Sequence, residues 1–145
     1  MSSTDVVAIL LLFVTMFLWG STPLLEKMGL KEVEPLTGIL IRSGTITIVL
    51  LVVYLFSGRI HELTKISLKN YSLFAASGIM AGLIAMWTYY YLLKTGMTSK
   101  IVPIAAAYPF ITAILSIVIL GEQVTFQRII GIVFTIGGII LIQQS

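Results

Sequence analysis

The sequence predicts an all-α membrane protein with five transmembrane helices and with its N- and C-termini on opposite sides of the membrane. Three observations carry this. The 145-residue chain is 58% hydrophobic and 10% charged, whereas a soluble domain holds about 25% charged residues. Five apolar stretches fill almost all of it, most of them reaching the ~20 residues that cross the hydrocarbon at ~1.5 Å per residue. An odd number of crossings separates the termini.

The elements form one domain over 1–145, with spans near 5–27, 35–57, 70–93, 100–120 and 124–143. The first core, Val6 to Leu25, lacks a basic leader and is too long for a typical signal-peptide core, so it reads as a retained span. A charged hairpin, Glu26 to Pro35, follows, and Pro35 suits the first turn of the next helix. The second core, Leu36 to Phe56, is interrupted only by Arg42, and Ser57-Gly58-Arg59 closes it. The third, Tyr71 to Leu93, is unbroken and ends at Thr95-Gly96. The fourth runs from Ile101 to Leu120 and stops at Gly121-Glu122-Gln123. The fifth, Ile129 to Ile142, is shorter, and Val124 to Gln127 extend it if Arg128 snorkels to the headgroups.

Composition excludes several function classes. The isoelectric point near 9.3 comes from basic residues scattered over short loops, with no patch for nucleic acid. There is no cysteine, hence no disulfide framework or thiolate metal site. The single histidine, His61, sits in a loop, and no HExxH, P-loop, paired carboxylate or GxSxG motif is present. No enzyme, metal or cofactor is expected. The longest loop, Ser57 to Asn70, cannot hold a domain, so any activity lies within the membrane.

Orientation is set by Lys and Arg in the cytoplasmic loops. Arg59, Lys65, Lys69 and Arg128 fall on the N-terminal side; Lys27, Lys31, Lys94 and Lys100 fall on the other. The balance gives no preference. Either another factor orients the chain, or it inserts both ways and two copies pair antiparallel, which makes from one sequence the inverted repeat used for alternating access.

Arg42 is the most expensive residue. An arginine at the centre of a span costs about 2.5–3.5 kcal/mol on insertion scales and faces a cavity or a partner. It sits roughly 10 Å from the Pro35 end by helical rise. It reads either as a salt-bridged or snorkelling group, with Glu26 or Glu34 as partner, or as an anchor for a substrate carboxylate or phosphate. Among aromatics, Trp19 precedes Gly20-Ser21-Thr22-Pro23, Trp87 and the Tyr89-Tyr90-Tyr91 run end the third helix, and Tyr108 lies mid-helix. Aromatics near span ends are usually interfacial; Trp19 and Tyr108 are deep enough to line a pocket, and Tyr90 is a further candidate. Pro103 falls in the first turn of the fourth helix. Pro109 removes a helical bond at the carbonyl of Ala105 and kinks or weakens the helix there, either for packing or to receive substrate. Gly78 and Gly82 form a GxxxG pair for helix packing. Gly131 and Gly138, seven apart, mark a candidate dimer interface. All acidic residues are read at ends or in loops, so no membrane-embedded carboxylate is expected for a proton relay.

These marks carry a family likeness. Trp19-Gly20-Ser21, Lys27 and Arg42 resemble the N-terminal half of an EamA domain of the drug/metabolite transporter superfamily. Tyr91-Leu92-Leu93, Pro109, Gly121-Glu122, Gly131 and Gly137-Gly138 resemble its C-terminal half. The resemblance covers essentially the whole chain and implies the undoubled five-span type. It implies export or exchange of amino acids, sugars, nucleotide-type metabolites or drugs, without naming a substrate. The Gly131–Gly138 spacing is also similar to that of the dimerising last helix of small multidrug resistance exporters. Their first-helix glutamate has no counterpart here, which argues against cation/proton antiport of that kind.

The function expected is secondary transport of small metabolites across the bilayer, in the inner membrane of a prokaryote, by an antiparallel homodimer. Helices one to four would line the cavity and helix five would pair the protomers. Arg42 and the absence of buried acids favour anionic or zwitterionic substrates. Coupling is left open between exchange, a gradient acting through loop-end groups such as Glu122, and none; for Glu122 itself a helix-end structural role is the main reading. The alternative is a non-transporting membrane subunit that stabilises or assembles a larger complex. A passive channel ranks third, because no ring of charges or hydrophobic gate is recognisable.

Overall fold

The structure, a computed structural model, describes residues 3–123 and 125–144; the side chains of 3–5 and 128 are not described. Val124 and the snorkelling side chain of Arg128 therefore lie outside the described residues. Those described are helical in the main, with no strand among them. Four helices are long and apolar enough to cross a membrane, Val6–Gly29, Pro35–Phe56, Leu68–Thr95 and Thr98–Leu120, and the shorter apolar helix Ile129–Gln144 follows. Like the fifth core in the sequence, the last helix is the short one.

Helix α1 (Ser3–Gly29) runs one turn further than the charged hairpin suggested. Glu26 and Lys27 are helical, and the turn begins at Leu30, whose amide still bonds to the Glu26 carbonyl at 2.9 Å. Ser21 and Thr22 donate to the Leu18 carbonyl at 3.1 and 2.7 Å, just before Pro23. Such back-bonding keeps hydroxyls satisfied where no water reaches them. Thr15, Thr45, Thr112 and Thr135 do the same on their own helices.

Helix α2 (Pro35–Phe56) starts on its proline, as expected, and is capped at Ser57. Gly58 follows with φ 68°, the left-handed conformation that glycine adopts without strain. A 3₁₀ turn, Arg59–Lys65, leads to α3 (Leu68–Ser77), where the Ser67 side chain accepts the Asn70 amide at 3.3 Å. The third span is not a uniform α-helix. Gly78–Ala85 is wound as a π-helix between α3 and α4 (Met86–Thr95), a rare form that is frequent at functional sites.

The fourth span is broken at the place Pro109 indicated. Helix α5 (Thr98–Ala105) ends, the chain tightens through Ala106 and Ala107, and α6 (Tyr108–Leu120) restarts with Pro109 in its first turn. The Ala107 amide bonds to the Ile104 carbonyl at 3.1 Å and the Phe110 amide to that of Ala107 at 3.0 Å. Pro103 is corrected: α5 begins at Thr98, so this proline lies inside the helix and not in its first turn. Gly121, with φ 66°, closes α6. Helix α7 (Phe126–Gln144) completes the chain.

The chain divides into two compact units, Met1–Thr95 and Gly96–Ser145. In the first, α1 and α2 both pack on α4. Its core is small: Leu30, Ile39, Tyr90 and Leu93 are buried, with Met86 and Tyr89 against them. In the second, α5 packs on α7.

Candidate functional site

The first unit brings Glu26, Lys27, Glu34, Arg42 and Lys94 together near the end where α1 turns into α2. Tyr90 is 3% exposed, held by the apolar cluster, and its hydroxyl donates to Glu26 Oε1 at 2.8 Å. Arg42 Nε stands 3.8 Å from the same oxygen. That separation makes an ion pair and is too long for a hydrogen bond. The Glu26 side chain is 10% exposed and that of Arg42 is 43% exposed. The acid is thus set into the protein and the guanidinium is open. Both line a cavity of about 210 Å³ with Leu30, Gly38, Ile41 and Tyr90.

Gly38 lets the Tyr90 ring approach α2 closely. A Cβ there would stand 3.3 Å from Tyr90 Cε2 and 3.6 Å from Leu30 Cδ2, so a side chain at this position presses on the ring. Neither Gly38 nor Leu30 carried a signal in the sequence, because a lone glycine in an apolar run has many readings.

Two lysines lock the surrounding backbone. Lys27 Nζ donates to the Leu93 and Lys94 carbonyls at 2.5 and 3.0 Å. Lys94 Nζ returns to the Val33 carbonyl at 3.1 Å and to Glu34 Oε1 at 2.9 Å. Lysine at a helix C-terminus meets carbonyls that carry partial negative charge. Lys27 therefore ties α1 to the end of α4, and Lys94 ties α4 to the α1–α2 turn. Of the two partners the sequence offered Arg42, the structure selects Glu26; Glu34 belongs to Lys94.

The remaining predicted residues are placed elsewhere. Trp19 is 68% exposed on α1 and does not line the Arg42 cavity. Tyr108 is 57% exposed and Pro109 is also exposed; both belong to the second unit. Gly78 and Gly82 lie in the π-helical stretch, where an added Cβ on either meets nothing within 4 Å. They line a second cavity, about 620 Å³, against Thr37, Ile39, Leu40 and Ser43 of α2. Gly131 and Gly138 also have open space before them. The structure thus brings Arg42 and Tyr90 together around Glu26, one of the two partners expected for Arg42, which lies in the last turn of α1.

A guanidinium inside a span, opening on a cavity with an aromatic wall, can receive a carboxylate or phosphate through charge-assisted bonds. The EamA-like transporter family matches residues 6–144. Over 83 residues the chain is 36% identical to an uncharacterized protein of Methanocaldococcus jannaschii, a stretch covering 57% of this chain and 58% of that protein. The chain therefore spans less than two thirds of that relative's length. No solved structure matches. The chain belongs to the EamA-like transporter family and is an integral membrane protein.

Proposed function

We propose that this EamA-like transporter carries small anionic or zwitterionic metabolites across the inner membrane of a prokaryote, by alternating access, as an antiparallel homodimer of single five-span domains. One observation carries the substrate side of the reading: Arg42 opens on a cavity within the spans while Glu26, the acid paired with it among the described residues, stays at 3.8 Å. A purely structural ion pair gains most from short, saturated bonds; this one leaves the guanidinium room for a ligand. Tyr90 supplies the wall of the proposed site. Trp19, Tyr108 and Pro109 are proposed to meet substrate along its path, and the Pro109 break supplies the irregular backbone that carriers place there.

The topological side rests on charge. Four basic residues on either side give no orientation preference, and α7, at 19 residues, reaches about 28 Å by helical rise. We propose that it crosses as a fifth span and pairs protomers through Gly131 and Gly138. A ligand-stabilisation screen tests the site. Purified protein should show a raised Tm with at least one small carboxylate, phosphate or amino acid, and Arg42→Ala should remove the shift while staying folded. A shift that survives Arg42→Ala would remove Arg42 from the site, and no shift across the panel would count against transport.

A further inference from the structure

We propose that the connection between the second and third spans, residues 59–69, is a binding surface for anionic lipid. Its apolar row lies in the bilayer surface, and its lysines hold the lipid phosphates. The segment joins Pro35–Phe56 to Leu68–Thr95, which sets it at the level of the headgroups. None of its residues lines the Arg42 cavity.

Arg59–Lys65 is a 3₁₀ helix. With about three residues per turn, side chains at i and i+3 eclipse, and the helix sorts into rows. Arg59, Glu62 and Lys65 make a charged row. His61 and Thr64 make a second, which serves the backbone: His61 Nδ1 stands 3.0 Å from the Gly58 carbonyl oxygen, and Thr64 Oγ1 donates to the His61 carbonyl at 2.8 Å. Ile60 and Leu63 make the third, and Ile66 at the helix end extends it. A 3₁₀ helix of this length is uncommon, and its period coincides with that of the apolar residues.

The first unit leaves the apolar row half open. Ile60 is 44% exposed, and Leu63 and Ile66 are each 47% exposed. Phe56 at the end of α2 and Leu68 at the start of α3 are exposed as well, so apolar side chains run from one span to the next through the turn. Such a row is unfavourable in water and is covered when it sinks to the boundary between headgroups and acyl chains.

The charges select the lipid. Three cations, Arg59, Lys65 and Lys69, stand against one acid, Glu62. Arg59 Nε pairs with Glu62 Oε1 at 3.9 Å, and Lys65 and Lys69 have no ion-pair partner among the described residues. At the other end of these spans the lysines are engaged: Lys27 and Lys94 donate to backbone carbonyls and Lys94 also to Glu34. A lysine lays its stem along apolar surface and sets its ammonium among phosphates. Anionic headgroups supply the net charge that Lys65 and Lys69 lack, and zwitterionic ones do not.

Fluorescence quenching in reconstituted full-length protein tests this. The chain has no cysteine, so Leu63→Cys takes a single bimane label, and Ile60→Cys labels the same row if that variant does not fold. Vesicles hold equal parts of phosphatidylglycerol and phosphatidylcholine, with bromine high on the acyl chains of one or the other. Either insertion orientation gives the same reading, because both leaflets carry the same lipids. Each lysine near an anionic surface contributes about fivefold, so brominated phosphatidylglycerol should be preferred at the label by about fivefold or more. Lys65→Gln combined with Lys69→Gln should keep the quenching and remove the preference. No quenching by either lipid would place the row outside the bilayer, and equal quenching would mean no selection of charge; each overturns the proposal. A preference that survives the two glutamine substitutions also overturns it, since the lysines are its source. Excess inorganic phosphate at constant ionic strength should change nothing, and loss of the preference there would mean a free-anion site and overturn the lipid reading.

Discussion

Arg42 and Glu26 lie 3.8 Å apart, close enough to neutralise each other and too far to saturate each other. The distance follows from what surrounds them. Glu26 Oε1 is fixed by the Tyr90 hydroxyl, and Tyr90 is fixed by Leu30, Ile39, Leu93 and the absence of a side chain at Gly38. Gly38→Leu should therefore push the Tyr90 ring from α2, costing about 1–3 kcal/mol, the usual range for overpacking. Thermal unfolding checks this, and an unchanged Tm would mean that the ring is not confined by α2. Arg42 was legible because an arginine in an apolar run has few bland explanations, and its pairing with Glu26 was one of two options. Tyr90 was named without a reason to prefer it over Tyr89 or Tyr91. Glu26 was not legible as a site residue, because an acid at the end of an apolar run looks the same in a loop as in a last helical turn.

Among the elements, the reciprocal lysines hold α1, α2 and α4 together where few apolar side chains are buried. Lys27→Met keeps the stem and removes the donor to the Leu93 and Lys94 carbonyls. Bonds to charged groups contribute about 1.5–3 kcal/mol, so the variant should melt at lower temperature; equal Tm values would contradict the clamp. Element ends were legible where glycine takes a left-handed turn, at Gly58 and Gly121, and at two of the four prolines, Pro35 and Pro109. Two features were not. The π-helical Gly78–Ala85 has the same apolar composition as an α-helix, and its hydrogen-bond register leaves no mark in residue type. The helical start at Thr98, which puts Pro103 inside α5, precedes the apolar run that signals the span.

At the scale of the whole molecule, balanced basic residues and a short last helix define the topology question. Two lysines added between Ser57 and Asn70 should bias a dual-topology chain toward one orientation. C-terminal reporters should then move from mixed to single sidedness, and a single orientation before and after would end the antiparallel proposal. The transporter family was legible from spaced marks along the chain and is shown by the match over residues 6–144. Substrate was not legible, since a cavity of about 210 Å³ with one exposed cation suits many small acids. The central claim is that this cavity binds what the protein transports. Flux into proteoliposomes tests it most directly, with a panel of small carboxylates, phosphates and amino acids and with wild type beside Arg42→Ala. Loss of one charge-assisted contact of ~1.5–3 kcal/mol predicts saturable wild-type flux of at least one compound, reduced about tenfold or more in the variant. Equal flux by the two proteins, or none by the wild type, would contradict the account.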